Sequence, residues 1–334
     1  MSKQTIVLIP GDGIGPEVTT AARAVLEAAG FDANWITVPA GATALDQGHD
    51  NVLPQVTLDA VREHKIALKG PVTTPVGKGF KSVNVQLRQK LNLYAAVRPV
   101  RSLAGVKTRY EGVDMVIVRE NTEGLYTGIE NEIIPGVVTS LKVATEAACT
   151  RIAQYAFEYA MSRHRRKVTS FHKANIMKLT DGLFLDCARR VHEKFPEVQY
   201  DEVIIDAGCM KLVQDPTKMD VLLMENLYGD LVSDLCAGLV GGLGVVPGSN
   251  IGKEYAIFEA VHGSAPDIAG KGIANPLAVI MSSVMMLNHL GQEAIAEKIK
   301  TAYNAVLAEG TTLTRDLGGT AGTQQFTDTL IAKL

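Results

Sequence analysis

Residues 226–244 read NLYGDLVSDLCAGLVGGLG. On a helical wheel, Leu227, Leu231, Leu235 and Leu239 form one apolar row, widened by Tyr228, Val232, Cys236 and Val240. The side left over holds Asp230, Ser233 and Asp234. Asp230 and Asp234 are four apart, which puts their carboxylates one above the other on the same face. Like charges at that spacing repel, at a cost of roughly 0.2–0.5 kcal/mol on an exposed helix. A cation between them reverses the sign, and two carboxylates plus waters are the usual protein share of a magnesium or manganese site. Taken alone, the same spacing also describes a solvated acidic edge.

The chain has 334 residues, 46% of them hydrophobic, enough for two domains with real cores. A net charge of −3 with 21% charged residues offers no basic field for nucleic acid. The dense run RHRRK at 163–167 reads as a solvated helix end. The four cysteines, Cys149, Cys187, Cys209 and Cys236, form no C-x-x-C, which argues against zinc and against a disulfide framework and fits a reducing compartment. The opening MSKQTIVLIPGDG has an apolar run too short for a signal peptide, and no apolar stretch reaches the ~18 residues of a membrane span. The expectation is a soluble protein without a membrane or nucleic-acid partner, cytoplasmic or the mature form of a mitochondrial enzyme.

In chain order, TIVLI (5–9) reads as a buried strand, followed by the turn PGDGIGPEV and a helix over 17–29. The glycines at 11, 13 and 15 miss the dinucleotide spacing, whose third glycine falls one position later, so a Rossmann fold is rejected. The turn either presents backbone N–H groups to a ligand or is simply tight. The strand IALKGP (66–71) leads into a polar stretch whose GKG has the wrong spacing for a P-loop. Ser82, Asn84 and Arg88, then Arg98, then Arg119 in MVIVRE suit carboxylates, because a guanidinium binds a carboxylate bidentately. Residues 120–143 lack a helical period and read as strands and turns. Helices are expected at 145–162 and 176–194, with the strand KVTSFHKA between them. Further strands are expected in QYDEVIID (199–206, ending on Asp206), VLLMEN (221–226) and AIFEAVHG (256–263). The apolar helix LAVIMSSVMMLNHL follows, with its methionines read as core, then a helix from Glu293 and a short terminal helix.

Together, GDGIGPEV, SVNVQLR, NLYGDLVSDL with GGLG, HGSAPDIAGKGIANP and GGTAGT resemble the β-decarboxylating dehydrogenases of 2-hydroxy acids, the family of isocitrate, isopropylmalate and homoisocitrate dehydrogenases. The likeness covers nearly the whole chain. It implies a non-Rossmann α/β fold with a large α/β domain built from both chain ends (1–93 and 241–334). A smaller α/β domain (94–240) would carry an intersubunit β clasp near 120–143 and the dimer interface, with the apolar face of the helix that starts at Asn226 packed against a partner subunit. SVNVQLR resembles the isocitrate branch, in which Ser82 and Asn84 hydrogen-bond a third carboxylate where isopropylmalate enzymes admit an apolar side chain.

The resemblance also implies roles. Thr74, Ser82, Asn84, Arg88, Arg98, Arg119 and Asn175 would bind substrate, with Tyr126 as acid and Lys173 as base. Asp206, Asp230 and Asp234 would hold Mg2+ or Mn2+, which polarises the substrate hydroxyl. Lys173 and Asp206 would come from the partner subunit, giving a homodimer with shared active sites, or a higher oligomer. His262, Gly263, Ala265, Asp267, Ile268 and Asn275 would bind the cofactor. Relatives that prefer the 2′-phosphate carry lysine and tyrosine where this chain has Asp267 and Ile268; a carboxylate there accepts ribose hydroxyls and repels a 2′-phosphate, so NAD is expected. The implied reaction is NAD-dependent oxidative decarboxylation of isocitrate to 2-oxoglutarate and CO2. The alternatives are homoisocitrate or 3-isopropylmalate as substrate, or a non-catalytic regulatory subunit.

Overall fold

The structure, a computed structural model, describes residues 3–73 and 81–334. The chain divides into two compact units, one of residues 1–92, 102–109 and 240–334, the other of residues 93–101 and 110–239. Residues 102–109, expected inside the central unit, group with the two chain ends.

The first unit starts with β1 (Gln4–Ile9), α1 (Gly15–Ala28), β2 (Ala33–Thr37), α2 (Ala42–Asp46), α3 (Gln55–His64), β3 (Ile66–Lys69) and α4 (Val83–Lys90). The second holds β4 (Ala95–Arg101), β5 (Asp114–Glu120), β6 (Glu130–Ile134), β7 (Val137–Ser140), α5 (Glu146–Ser162), β8 (Lys167–His172), α6 (Thr180–His192), β9 (Gln199–Ile204), α7 (Ile205–Gln214), β10 (Val221–Met224) and α8 (Asn226–Leu239). The chain then returns to the first unit with β11 (Pro247–Ile251), β12 (Ala256–Ala260), α9 (Leu277–His289), α10 (Glu293–Glu309) and α11 (Thr323–Ile331).

Strand order in the first unit is β2-β1-β3-β12-β11, parallel except that β11 runs antiparallel to β12. In the second unit it is β4-β5-β10-β8-β9, parallel except that β4 runs antiparallel to β5. Parallel strands covered by helices read as unbroken apolar runs, and all four residues of β10 are buried. Helix α9 is apolar all round because it packs on β11, β12 and α1, which leaves it no solvent face. Met281 and Met286 are core residues, as read.

Three elements depart from the sequence reading. Helix α8 stops at Leu239 rather than Gly244, because Gly241 and Gly242 take φ values of 120° and 101° that other residues avoid. Within one chain the inward face of α8 is a different one from the leucine row. Leu231 is 63% exposed, while Asn226, Gly229, Val232, Ser233, Cys236 and Ala237 turn inward. Strand β9 ends at Ile204, so Asp206 stands in the first turn of α7, where a helix N-terminus favours a carboxylate. Gly208 lets α7 close onto β8, since a Cβ there would overlap the Phe171 ring. Strand β12 stops at Ala260, three residues before the expected end.

The segment 120–143 contains a 3-10 turn, Leu125–Thr127, and the antiparallel hairpin β6–β7. Backbone bonds between Gly124 and Val143 close it at its base. Every residue of β6 is exposed. Among the described residues, no helix is long and apolar enough to cross a membrane.

Candidate active site

The site in the second unit is built around Arg119, on β5 and fully buried. Its Nε and Nη2 donate to Asn226 Oδ1 at 3.1 and 2.7 Å, and its Nη1 donates to Asp230 Oδ1. Asn226 Nδ2 donates to the Glu123 carbonyl at 3.0 Å, which fixes the start of α8. A buried guanidinium needs both a counter-charge and hydrogen-bond acceptors. Helix α8 supplies both because Gly229 allows close approach: a Cβ there would lie 2.5 Å from Arg119 Cγ.

Arg98 is two positions along β4 from Ala96, the cross-strand partner of Arg119, so the two arginines share a face. Buried as well, it donates from Nη1 to Ser233 Oγ and lies 3.6 Å from both Asp230 and Asp234. The Tyr126 hydroxyl donates to Asp230 Oδ2, and the Arg119 guanidinium stands 5.1 Å from the Tyr126 ring centre. Burial and the bond to Asp230 push the Tyr126 phenol above its usual pKa, so it stays protonated. Burial raises Asp234; Arg98 opposes the rise and repulsion from Asp230 adds to it. The hard oxygen donors of such a carboxylate pair are of the kind that suits a magnesium- or manganese-like ion. Among the described residues, no three His, Cys, Asp or Glu side chains converge on one point.

Asp206 and Lys173 form a second cluster, with Lys173 Nζ 2.9 Å from Asp206 Oδ1. That hydrogen bond holds the Asp206 carboxyl below its usual pKa. Among the described residues, no hydrogen bond or ion pair joins Lys173 or Asp206 to Tyr126, Asp230 or Asp234. Asn175 is exposed in the turn after Lys173.

In the first unit, Ser82 caps α4, accepting from Val85 N at 3.4 Å. Asn84 and Arg88 are four apart on that helix and share a face. Asn84 Oδ1 is buried with no hydrogen-bond partner among the described residues. Arg88 is buried and lies 3.9 Å from Glu259, which also binds Lys69 and, at 2.6 Å, Asn250. Burial works against the Glu259 carboxylate, yet Lys69 and Arg88 outweigh it and keep its pKa low. Thr74 lies outside the described residues.

The glycine turn packs against the loop that follows β12. Ile14 N donates to Ser264 O at 2.9 Å, and a Cβ on Gly13, at φ 59°, would overlap that oxygen. Asp12 accepts from the backbone N–H groups of Ala42, Thr43 and Thr73 at 3.0, 2.7 and 2.6 Å. Glu17 accepts from Ala274 N at 3.1 Å and from Thr323. The loop 262–275 is thus held at both ends, by residues whose roles no sequence spacing announced.

Within that loop, His262 Nδ1 lies 3.0 Å from Gly263 O, and burial lowers its pKa, which leaves the ring neutral. Its Nε2 is buried without a partner among the described residues, and Ala265 holds a left-handed φ of 39°. An orphaned imidazole nitrogen and a strained backbone are what a ligand loop shows before its ligand supplies the missing bond. Asp267 is exposed and Ile268 half-buried. Asn275 is committed on both sides, Nδ2 to Asp316 at 2.8 Å and Oδ1 to Leu277 N at 2.9 Å.

Two buried arginines end on a carboxylate pair, with a protonated phenol on the same carboxylate, in an α/β protein. The sequence matches the isocitrate/isopropylmalate dehydrogenase family over residues 5–330, and the chain belongs to that family. It is 53% identical over 329 residues to a protein of Drosophila melanogaster named probable isocitrate dehydrogenase [NAD] subunit alpha, mitochondrial, covering 98% of this chain and 87% of that one. It is 52% identical over 304 residues to the chloroplastic 3-isopropylmalate dehydrogenase of Solanum tuberosum, covering 91% and 85%. The crystal structure of isocitrate dehydrogenase from Methylococcus capsulatus superposes with a TM-score of 0.95 at 48% identity, covering 99% of both chains.

Proposed function

We propose that the chain catalyses NAD-dependent oxidative decarboxylation of isocitrate to 2-oxoglutarate and CO2. The observation that carries this reading is the buried Arg98–Arg119 pair ending on Asp230. Arg88, Arg98 and Arg119 bind the substrate carboxylates, with Thr74 and Asn175 as further contacts. Ser82 keeps a hydroxyl proton to donate, and with Asn84 it favours a third carboxylate over an apolar group. Lys173 takes the C2 hydroxyl proton, directly or through water. Tyr126 is protonated and returns a proton to the carbon that loses carboxylate. Asp230 and Asp234, with Asp206 of the partner subunit, hold a divalent ion that supplies Lewis acidity, and NAD on the loop 262–275 supplies the hydride acceptor.

The exposed hairpin supports an assembly in which Lys173 and Asp206 serve the neighbouring site, as a homodimer or with unlike subunits, since the fly relative is named a subunit. That relative's name also favours the mitochondrial matrix. The potato relative makes 3-isopropylmalate the second reading. The deciding assay follows reduced nicotinamide with magnesium, with isocitrate, homoisocitrate or 3-isopropylmalate, and with NAD or NADP. Turnover at least a hundredfold higher with isocitrate and NAD is expected. A preference for 3-isopropylmalate, full turnover after chelation, or no oxidation of any of the three acids overturns the proposal.

A further inference from the structure

One charged cluster of the second unit lies outside the binding and proton-transfer groups above. Lys142, next to the Gly124–Val143 bridge, places its ammonium between Asp181, in the first turn of α6, and Glu225, the residue before α8. Lys142 Nζ to Glu225 Oε2 is 2.5 Å, and the ammonium lies 5.0 Å from the Tyr228 ring centre. The side chain of Asp181 is fully buried, that of Glu225 is 9% exposed and that of Lys142 15%. Buried charges of this kind cost desolvation energy, and a well-packed apolar trio would be no less stable. Stability alone therefore does not explain the cluster, and its second set of contacts does.

The other Asp181 oxygen, Oδ2, accepts the backbone N–H of Lys173 at 2.6 Å. The Lys173 carbonyl is held as well, accepting from Ile176 N and Met177 N, each at 2.9 Å. Both peptide groups flanking the candidate base are thereby fixed, and its ammonium is left to reach Asp206. Lys142 ties this turn to the start of α8 through Glu225 and, through the Gly124–Val143 bridge, to the turn that carries Tyr126. We infer that Lys142 and Asp181 are positioning residues for Lys173, fixing the turn from which the base is presented to the site it serves. The inference rests on the proposed reaction.

The test compares isocitrate kinetics of the full-length Lys142→Met, Lys142→Arg and Asp181→Asn variants with an Arg165→Met control. Arg165 pairs with Asp114 at 2.7 Å and Asp220 at 3.2 Å, before the start of β8 and at the opposite end of that strand from Lys173. Displacing a base by a fraction of an ångström costs turnover rather than binding. Lys142→Met is expected to lower kcat at least tenfold with KM for isocitrate within about threefold, and Asp181→Asn at least fivefold. Lys142→Arg should restore most of kcat, and Arg165→Met should lower the unfolding temperature without lowering kcat. A folded Lys142→Met or Asp181→Asn protein with wild-type kcat overturns the inference, as does an equal kcat loss in Arg165→Met. An unsubstituted protein that oxidises no isocitrate overturns the proposed reaction and this inference with it.

Discussion

Glu225 shows how two carboxylates sharing one ammonium behave when water is excluded. Burial raises its pKa to about 7; Lys142 opposes the rise and neighbouring Asp181 adds to it. An unfolded glutamate titrates near 4.5. Between those values the folded protein holds a proton that the unfolded chain has released. The associated stability is therefore complete below about pH 4.5 and is lost as pH rises through about 7, a difference of roughly 3 kcal/mol. Glu225→Gln cannot titrate. Its stability relative to wild type should move in favour of the variant by up to that amount between pH 5 and 8, read by urea unfolding at each pH. Parallel curves for the two proteins would remove the claim. Sequence spacing could not show this trio, because Lys142 stands 39 positions from Asp181 and 83 from Glu225. Asp230 and Asp234 were visible because four residues along a helix make neighbours without any tertiary knowledge.

Helix α8 turns inward a face that hydropathy alone would call poor. Its inner surface is Asn226, Gly229 and Ser233 as much as Val232, because two arginines from β4 and β5 must be met by oxygens and by space. Gly229→Ala would press a methyl against the Arg119 stem, which is fully buried and has no room to yield. Overpacking costs about 1–3 kcal/mol, more than the ~1 kcal/mol that alanine adds to a helix. Gly238, on the exposed side of the same helix, meets nothing within 4 Å. Opposite signs are expected: Gly229→Ala lowers the denaturation midpoint and raises KM for isocitrate at least tenfold, while Gly238→Ala leaves KM alone and stabilises by about 0.5–1 kcal/mol. Equal effects at the two positions would mean that Gly229 is not what seats the helix. At this scale the sequence reading located most strands and helices within a few residues, since periodicity is local. It passes over β2, α3, β4, β11 and α7; α7 is seated by Phe171, from a distant position.

At the scale of the whole molecule, the proton-transfer and carboxylate groups of the second unit fall into two bonded pairs. Tyr126 and Asp230 are bonded to each other, and Lys173 and Asp206 are bonded to each other, with nothing between the two pairs among the described residues. The same unit exposes Ile133 at 64%, Ile134 at 60% and Val138 at 65% on a two-stranded hairpin, an element that is marginal without a neighbouring strand or helix. Both facts are met if a second subunit covers the hairpin and each site takes Tyr126 from one chain and Lys173 from the other. Complementation follows from that arrangement. Tyr126→Phe and Lys173→Met proteins should each be nearly inactive. Unfolded together and refolded as a mixture, they assort at random, so half the dimers carry one chain of each kind. Such a dimer holds one site with both defects and one with neither, so about a quarter of wild-type activity should return. Sedimentation of an Ile133→Lys, Val138→Lys variant should show the assembly falling apart, with activity lost alongside it. If mixing restores nothing while both single variants still assemble, Tyr126 and Lys173 serve the same chain's site, and the two pairs must then be brought together by a movement within one subunit.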